Sequence, residues 1–120
     1  MAWSFDAHLP VSVQLTERIR TDILSGKYPP GTQFPTVRFL AYEASVNPNT
    51  MQKALTVLES EGLLIPRGTT GRFVTENLSL LAEKQAELKS VYMRRALTGA
   101  KALGICADEF IAFIESEEQQ

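Results

Sequence analysis

The order of local signals along the chain predicts a mostly helical α+β protein. Three amphipathic helices come first, then a short β-hairpin, then a tail of two further helices. Three observations carry this prediction. Apolar residues recur at three- and four-residue intervals in the first 62 positions, punctuated by proline and glycine. Two β-prone segments, LLIP and RFVT, flank the glycine-bounded RGTTG. Beyond Leu78 a long stretch carries no proline.

Each element can be justified in turn. From Pro10 to Ser25 the apolar residues Val11, Leu15, Ile19 and Ile23 fall on one helical face, with Gly26 just past the end. The connector YPPGTQFP is too rich in proline and glycine for regular structure. A second, short helix is expected over residues 36–44, capped by Thr36, with Val37, Leu40 and Ala41 as its buried stripe. In the third, Asn47 is a favoured N-cap and Pro48 fits the first helical position, which needs no amide hydrogen. Met51, Ala54, Leu55 and Leu58 supply its core face, and Gly62 ends it. Three helices and a hairpin, with a brief turn between the second and third helices, form the winged helix-turn-helix order. The tail reads as a helix from Leu78 to about Ala102, a break at Leu103–Gly104, and a last helix around DEFIAFIESE.

Composition excludes several classes. The chain has 120 residues, 44% of them hydrophobic and 22% charged, the balance of an ordinary globular protein. No apolar run approaches the roughly 18 residues that a membrane span needs. The N-terminal MAWSFDAHLP lacks the basic flank and apolar stretch of a signal peptide, so a cytoplasmic location is expected. One cysteine and one histidine cannot furnish a disulfide or a four-ligand zinc site, so neither a metal nor another cofactor is expected. The net charge of −2 does not by itself point to nucleic acid. Its distribution is uneven: residues 1–75 carry seven basic and six acidic side chains, whereas residues 76–120 carry five and eight.

The runs PVSVQLTERIRTDILSGKYPPGTQFPTVRFLA, VNPNTMQKALTVLESEGLL and RGTTGRFV together resemble the GntR winged-helix domain over about residues 8–76. The segment VNPNTMQKA is similar to the YtrA-type subfamily, whose members add only a short helical dimerisation tail. The resemblance implies a winged helix-turn-helix DNA-binding domain at 8–76 and a helical dimerisation tail at 77–118. It also implies a dimeric, sequence-specific repressor that binds double-stranded operator DNA. By the same resemblance, Arg38 early in the second helix and Asn47, Pro48, Asn49, Thr50 and Gln52 at the start of the third are the DNA-contacting positions. Two departures from the family pattern stand out. Pro48 and Gln52 replace arginines found in many members, and Thr69–Thr70 occupy the wing tip where a basic residue is usual.

The residue chemistry agrees with that assignment. Asparagine and glutamine can pair bidentately with adenine, and threonine can touch a thymine methyl, so Asn49, Thr50 and Gln52 are candidate base readers. Asn47 doubles as an N-cap, and a helix terminus also attracts phosphate. Lys53 is a candidate phosphate contact, the alternative being a plain solvated lysine. Arg67 and Arg72 flank the hairpin tip, where they could clamp backbone phosphates. Glu59 and Glu61 read as solvated helix-end charges. His8 and Cys106 stand alone, with no partner residues in a catalytic pattern, so no enzyme is expected. In the tail, Leu81, Leu88, Val91, Tyr92, Phe110, Ile111, Phe113 and Ile114 exceed what two helices can bury on themselves, which points to a homodimer interface. No residue pattern names a small-molecule effector. The rival reading is a winged-helix module that binds protein rather than DNA.

Overall fold

A computed structural model describes residues 3–119. Its elements are α1 (Val11–Leu24), α2 (Val37–Ala44), α3 (Pro48–Ser60), β1 (Leu64–Pro66), β2 (Arg72–Val74), α4 (Leu78–Ala102) and α5 (Ala107–Glu118), with a 3₁₀ turn at Gly68–Thr70 between the strands. This is the predicted order. The chain divides into two units between Gln85 and Ala86.

In the first unit the core forms where α1 packs on α3. Leu15, Ile19 and Ile23 meet Met51, Ala54, Leu55 and Leu58, and all seven are buried. The spacing of four in α1 and of three and four in α3 puts each set on one face, so burial follows from sequence period. Leu40, Ala41 and Ala44 of α2 close the core from another side. Two apolar residues behave differently from expectation. Val11 is exposed and Val37 only half-buried, because each is the first residue of its helix, at the edge of the packed surface. Thr16 is buried instead, and its hydroxyl donates to the Ser12 carbonyl at 2.8 Å, so it enters the core without an unpaired polar atom.

The proline-rich connector does more than link. Phe34 is buried, and its amide donates to the Arg72 carbonyl at 2.8 Å. Gly31 donates to Val74 at 2.9 Å, and Val74 donates back to Thr32 at 2.9 Å. The connector thus lies along the outer edge of β2, while β1 pairs antiparallel on the other side, with Leu64 opposite Val74 and Pro66 opposite Arg72. Covering that edge spares the hairpin an open row of backbone donors. Tyr28 packs against Phe34 with ring centroids 4.8 Å apart and planes tilted by 59°, and burial pushes its phenol pKa above the ordinary value.

Helix ends follow one rule with one exception. After α1 and α3 the chain turns through a left-handed residue and closes with an amide reaching back five positions, Lys27 to Asp22 at 3.0 Å and Leu63 to Leu58 at 3.1 Å. The turning residues there are Gly26 and Gly62. After α2 the same closure, Val46 to Ala41 at 3.0 Å, turns through Ser45 at φ +57°, the only non-glycine with positive φ among the described residues. A β-carbon is disfavoured in that conformation.

The second unit comprises the later turns of α4 and all of α5. Ile105 donates to the Ala100 carbonyl at 2.9 Å across the Leu103–Gly104 turn. Ala100 is buried and Phe110 half-buried, and they border a groove of about 380 Å³. Val91, Tyr92, Ile111, Phe113 and Ile114 are exposed.

Two stability outcomes follow. Leu55→Ala removes a fully buried side chain from the α1–α3 seam and should cost about 2–5 kcal/mol, read as a lower urea midpoint at unchanged m. Ser45→Gly should instead raise stability by about 0.5–1 kcal/mol in the same assay, because relief of the left-handed strain outweighs the greater freedom of the unfolded chain.

Candidate nucleic-acid interface

The third helix begins as its sequence demands. Asn47 is the N-cap, and its side-chain oxygen accepts from the Asn49 amide at 2.7 Å, with Pro48 first in the helix. Thr36 caps α2 in the same way, accepting from the Phe39 amide at 3.1 Å. These caps satisfy amides at the starts of both helices.

With Met51, Ala54, Leu55 and Leu58 committed to the core, α3 shows Asn49, Gln52, Lys53 and Thr56 to solvent. Thr50 sits at the flank and is half-buried. The Gln52 amide group donates to the Thr56 hydroxyl at 3.3 Å, and that hydroxyl donates to the Gln52 carbonyl at 2.9 Å. Thr56 therefore steers Gln52 one turn along the helix, a role missed in the sequence because its signal was only an i+4 spacing.

Two depressions border α3 on opposite flanks. One, of about 500 Å³, lies against α2 and is lined by Arg38, Ala41, Tyr42, Ser45, Val46 and Pro48. The other, of about 480 Å³, lies against α1 and includes Ser12, Glu17, Arg20, Lys53 and Val57. Arg38 and the start of α3 are thus brought together, whereas Lys53 belongs to the far flank.

The hairpin separates its two arginines. Arg72 is mostly buried and forms an ion pair with Glu59 of α3. Arg67 stays exposed, its guanidinium 4.8 Å from the centroid of the Phe73 ring. Gln33 donates to the Thr70 carbonyl at 2.6 Å and tethers the tip from the connector. Glu61 is paired as well: Arg20 Nε donates to it at 2.9 Å, and that hydrogen bond holds the guanidinium above its ordinary pKa. The expectation of solvated charges at Glu59 and Glu61 is therefore corrected. Each carboxylate ends a helix beside a cation from another element, a proximity that local sequence does not show.

Tail candidates fall in two groups. Val91, Tyr92, Ile111, Phe113 and Ile114 are exposed, while Leu81, Leu88 and Phe110 are half-buried. Cys106 is the N-cap of α5 and exposed, without a side-chain capping bond. Among the described residues, no helix is long and apolar enough to cross a membrane, and no group of three or more His, Cys, Asp or Glu could hold a metal.

A helical core with a short turn between α2 and α3, and a two-stranded hairpin beside the exposed helix, defines a winged helix-turn-helix protein. The family profile described as bacterial regulatory proteins, gntR family, matches residues 11–74. The chain belongs to that family, and it is a transcription regulator of the GntR type. The HTH-type transcriptional repressor YtrA of Bacillus subtilis (strain 168) is 29% identical over 97 residues, 80% of this chain and 75% of that one. A solved GntR family transcriptional regulator from Listeria monocytogenes superposes with a TM-score of 0.85 at 28% identity, over 93% of this chain and 98% of that one. The DNA-binding domain of AraR, solved in complex with operator ORE1, gives a TM-score of 0.54 at 31% identity, over 62% of this chain and 94% of that domain.

The Arg72–Glu59 pair should behave as a strut between wing and α3. Arg72→Gln should lower stability by about 1–3 kcal/mol, between the values for exposed and buried pairs, while Arg67→Gln should change it little. In a double-mutant cycle, Glu59→Gln combined with Arg72→Gln should cost clearly less than the two single changes summed.

Proposed function

We propose that the protein is a homodimeric repressor that binds an inverted-repeat operator in double-stranded DNA. In this reading residues 8–76 form the DNA-binding domain and residues 77–118 the dimerisation tail. The observation that carries it is the division of α3. One face is wholly buried, and the other offers Asn49, Gln52, Lys53 and Thr56 from a helix that begins at an exposed, capped end. A helix so presented can lay its first turns in the major groove. The operator-bound AraR domain supports DNA as the ligand, and the repressor title of YtrA supports the direction of control.

Each side chain then has a role set by its chemistry and place. Asn49, Thr50 and Gln52 read base edges, while Asn47 holds the helix start open to the groove. Arg38 and Lys53 flank α3 on opposite sides and attract phosphates, and Arg67 brings charge to the wing. Arg72, spent on Glu59, sets the angle of the wing instead. In the tail, Val91, Tyr92, Ile111, Phe113 and Ile114 are more apolar surface than a free monomer exposes at low cost. Pairing across a two-fold axis removes it from water and gives two reading heads for two half-sites.

Binding to a duplex selected by the purified protein from a random pool, with a scrambled duplex as control, tests the assignment. Gln52→Ala should cost about 1–3 kcal/mol on the selected duplex and much less on the scrambled one. Lys53→Ala should weaken both alike and flatten the salt dependence by about one unit. Equal losses for Gln52→Ala on both duplexes would rule out base reading by that residue. Sedimentation at micromolar concentration should show a dimer, and a monomer there would overturn the tail's assigned role.

A further inference from the structure

The notch between α2 and α3 holds three side chains that the fold does not use. Arg38, Tyr42 and Ser45 all line it, and none of their side chains makes a hydrogen bond or ion pair in the chain, among the described residues. Arg38 and Tyr42 stand four residues apart on α2, so they share one face of the helix. Tyr42 is 84% exposed, so its ring is held in water rather than in the core. Ser45 occupies the left-handed position that glycine fills after α1 and α3, and its β-carbon is a local cost with no packing return.

We infer that this notch is a phosphate-binding site in which the Tyr42 and Ser45 hydroxyls join the Arg38 guanidinium to hold one DNA backbone phosphodiester. The inference rests on the DNA-binding reading and deepens it. The lining supplies donors of the right kind, a guanidinium and two hydroxyls, with no carboxylate among the six residues. About 500 Å³ of open space accommodates a phosphate group with its flanking sugar edges. Place matters as much as chemistry. Pro48, the first residue of α3, forms one wall, so a group in the notch sits beside the end of the helix that enters the major groove. Backbone phosphates line the lip of that groove, and the first helix of a helix-turn-helix crosses them. Free inorganic phosphate shares the chemistry but not the geometric reason for the site to lie against α3.

The test uses the full-length protein and the selected duplex, with each phosphodiester in turn replaced by an uncharged methylphosphonate. Tyr42→Phe, which removes one exposed hydroxyl, and Ser45→Ala, which keeps the β-carbon, should each weaken selected and scrambled duplexes alike by about three- to tenfold. Neither carries charge, so the salt slope should hold, whereas Arg38→Ala should reduce it by about one per subunit. One methylphosphonate position per half-site should weaken the wild type, and at that position Tyr42→Phe should bring little further loss. Inorganic phosphate at fixed ionic strength should not compete detectably at millimolar concentration. Competition by phosphate there, or losses that couple to no single backbone position, would overturn the assignment. So would Tyr42→Phe and Ser45→Ala variants that bind like the wild type. That last result leaves the DNA-binding reading intact, while a wild type that selects no duplex overturns both.

Discussion

Everything at the exposed surface depends on the contact between α1 and α3. Leu15, Ile19 and Ile23 interlock with Met51, Ala54, Leu55 and Leu58, and this seam fixes the rotation of α3 about its own axis. A rotation by one residue, about 100°, would carry Gln52 toward the core and a leucine toward solvent. Hydrophobic burial thereby sets which polar side chains are offered to a ligand. The same seam explains why the outward side of α3 can be mostly polar, with Val57 the large apolar side chain it leaves exposed: the inner face supplies the helix with its packing.

Two ion pairs then tie α1 and the hairpin to the end of α3. Glu59 near its end holds Arg72 of β2, and Glu61 just beyond holds Arg20 of α1. Both pairs are partly shielded from water, so salt screens them less than a surface pair. Arg20 and Arg72 are used inside the fold, whereas Arg38, Lys53 and Arg67 stay exposed. A chain with a net charge of −2 can still present a carboxylate-free notch at Arg38 when some of its acids are occupied in this way, whereas Lys53 shares its depression with Glu17.

The turn between α2 and α3 shows a different economy. Helices α1 and α3 close through glycine, yet the chain places a serine in the left-handed position that joins α2 to α3. The closure bond from Val46 to Ala41 holds that residue in place despite its β-carbon. Strain tolerated at one point of an otherwise regular series is what the proposed phosphate contact of Ser45 would account for.

The elements and their faces were legible in the sequence because they rest on local physics. Helical spacing from Leu15 to Ile23 and from Met51 to Leu58, the Asn47–Pro48 start and the glycines of the hairpin depend on residues within a few positions of each other. The outward set Asn49, Gln52 and Lys53 was legible for the same reason, since it is what the core leaves over. The fates of Arg72, Glu59 and Glu61 were not, because each partner lies on another element and only packing brings the charges together. Phe34 likewise read as part of a structureless connector, and its burial awaited a hairpin for it to lie against. Sequence alone thus determined which helices form, which faces they bury and which residues α3 presents. Tertiary structure decided which of the charged groups remain free to meet a ligand, because pairing between distant residues is settled by proximity in space and not by spacing along the chain.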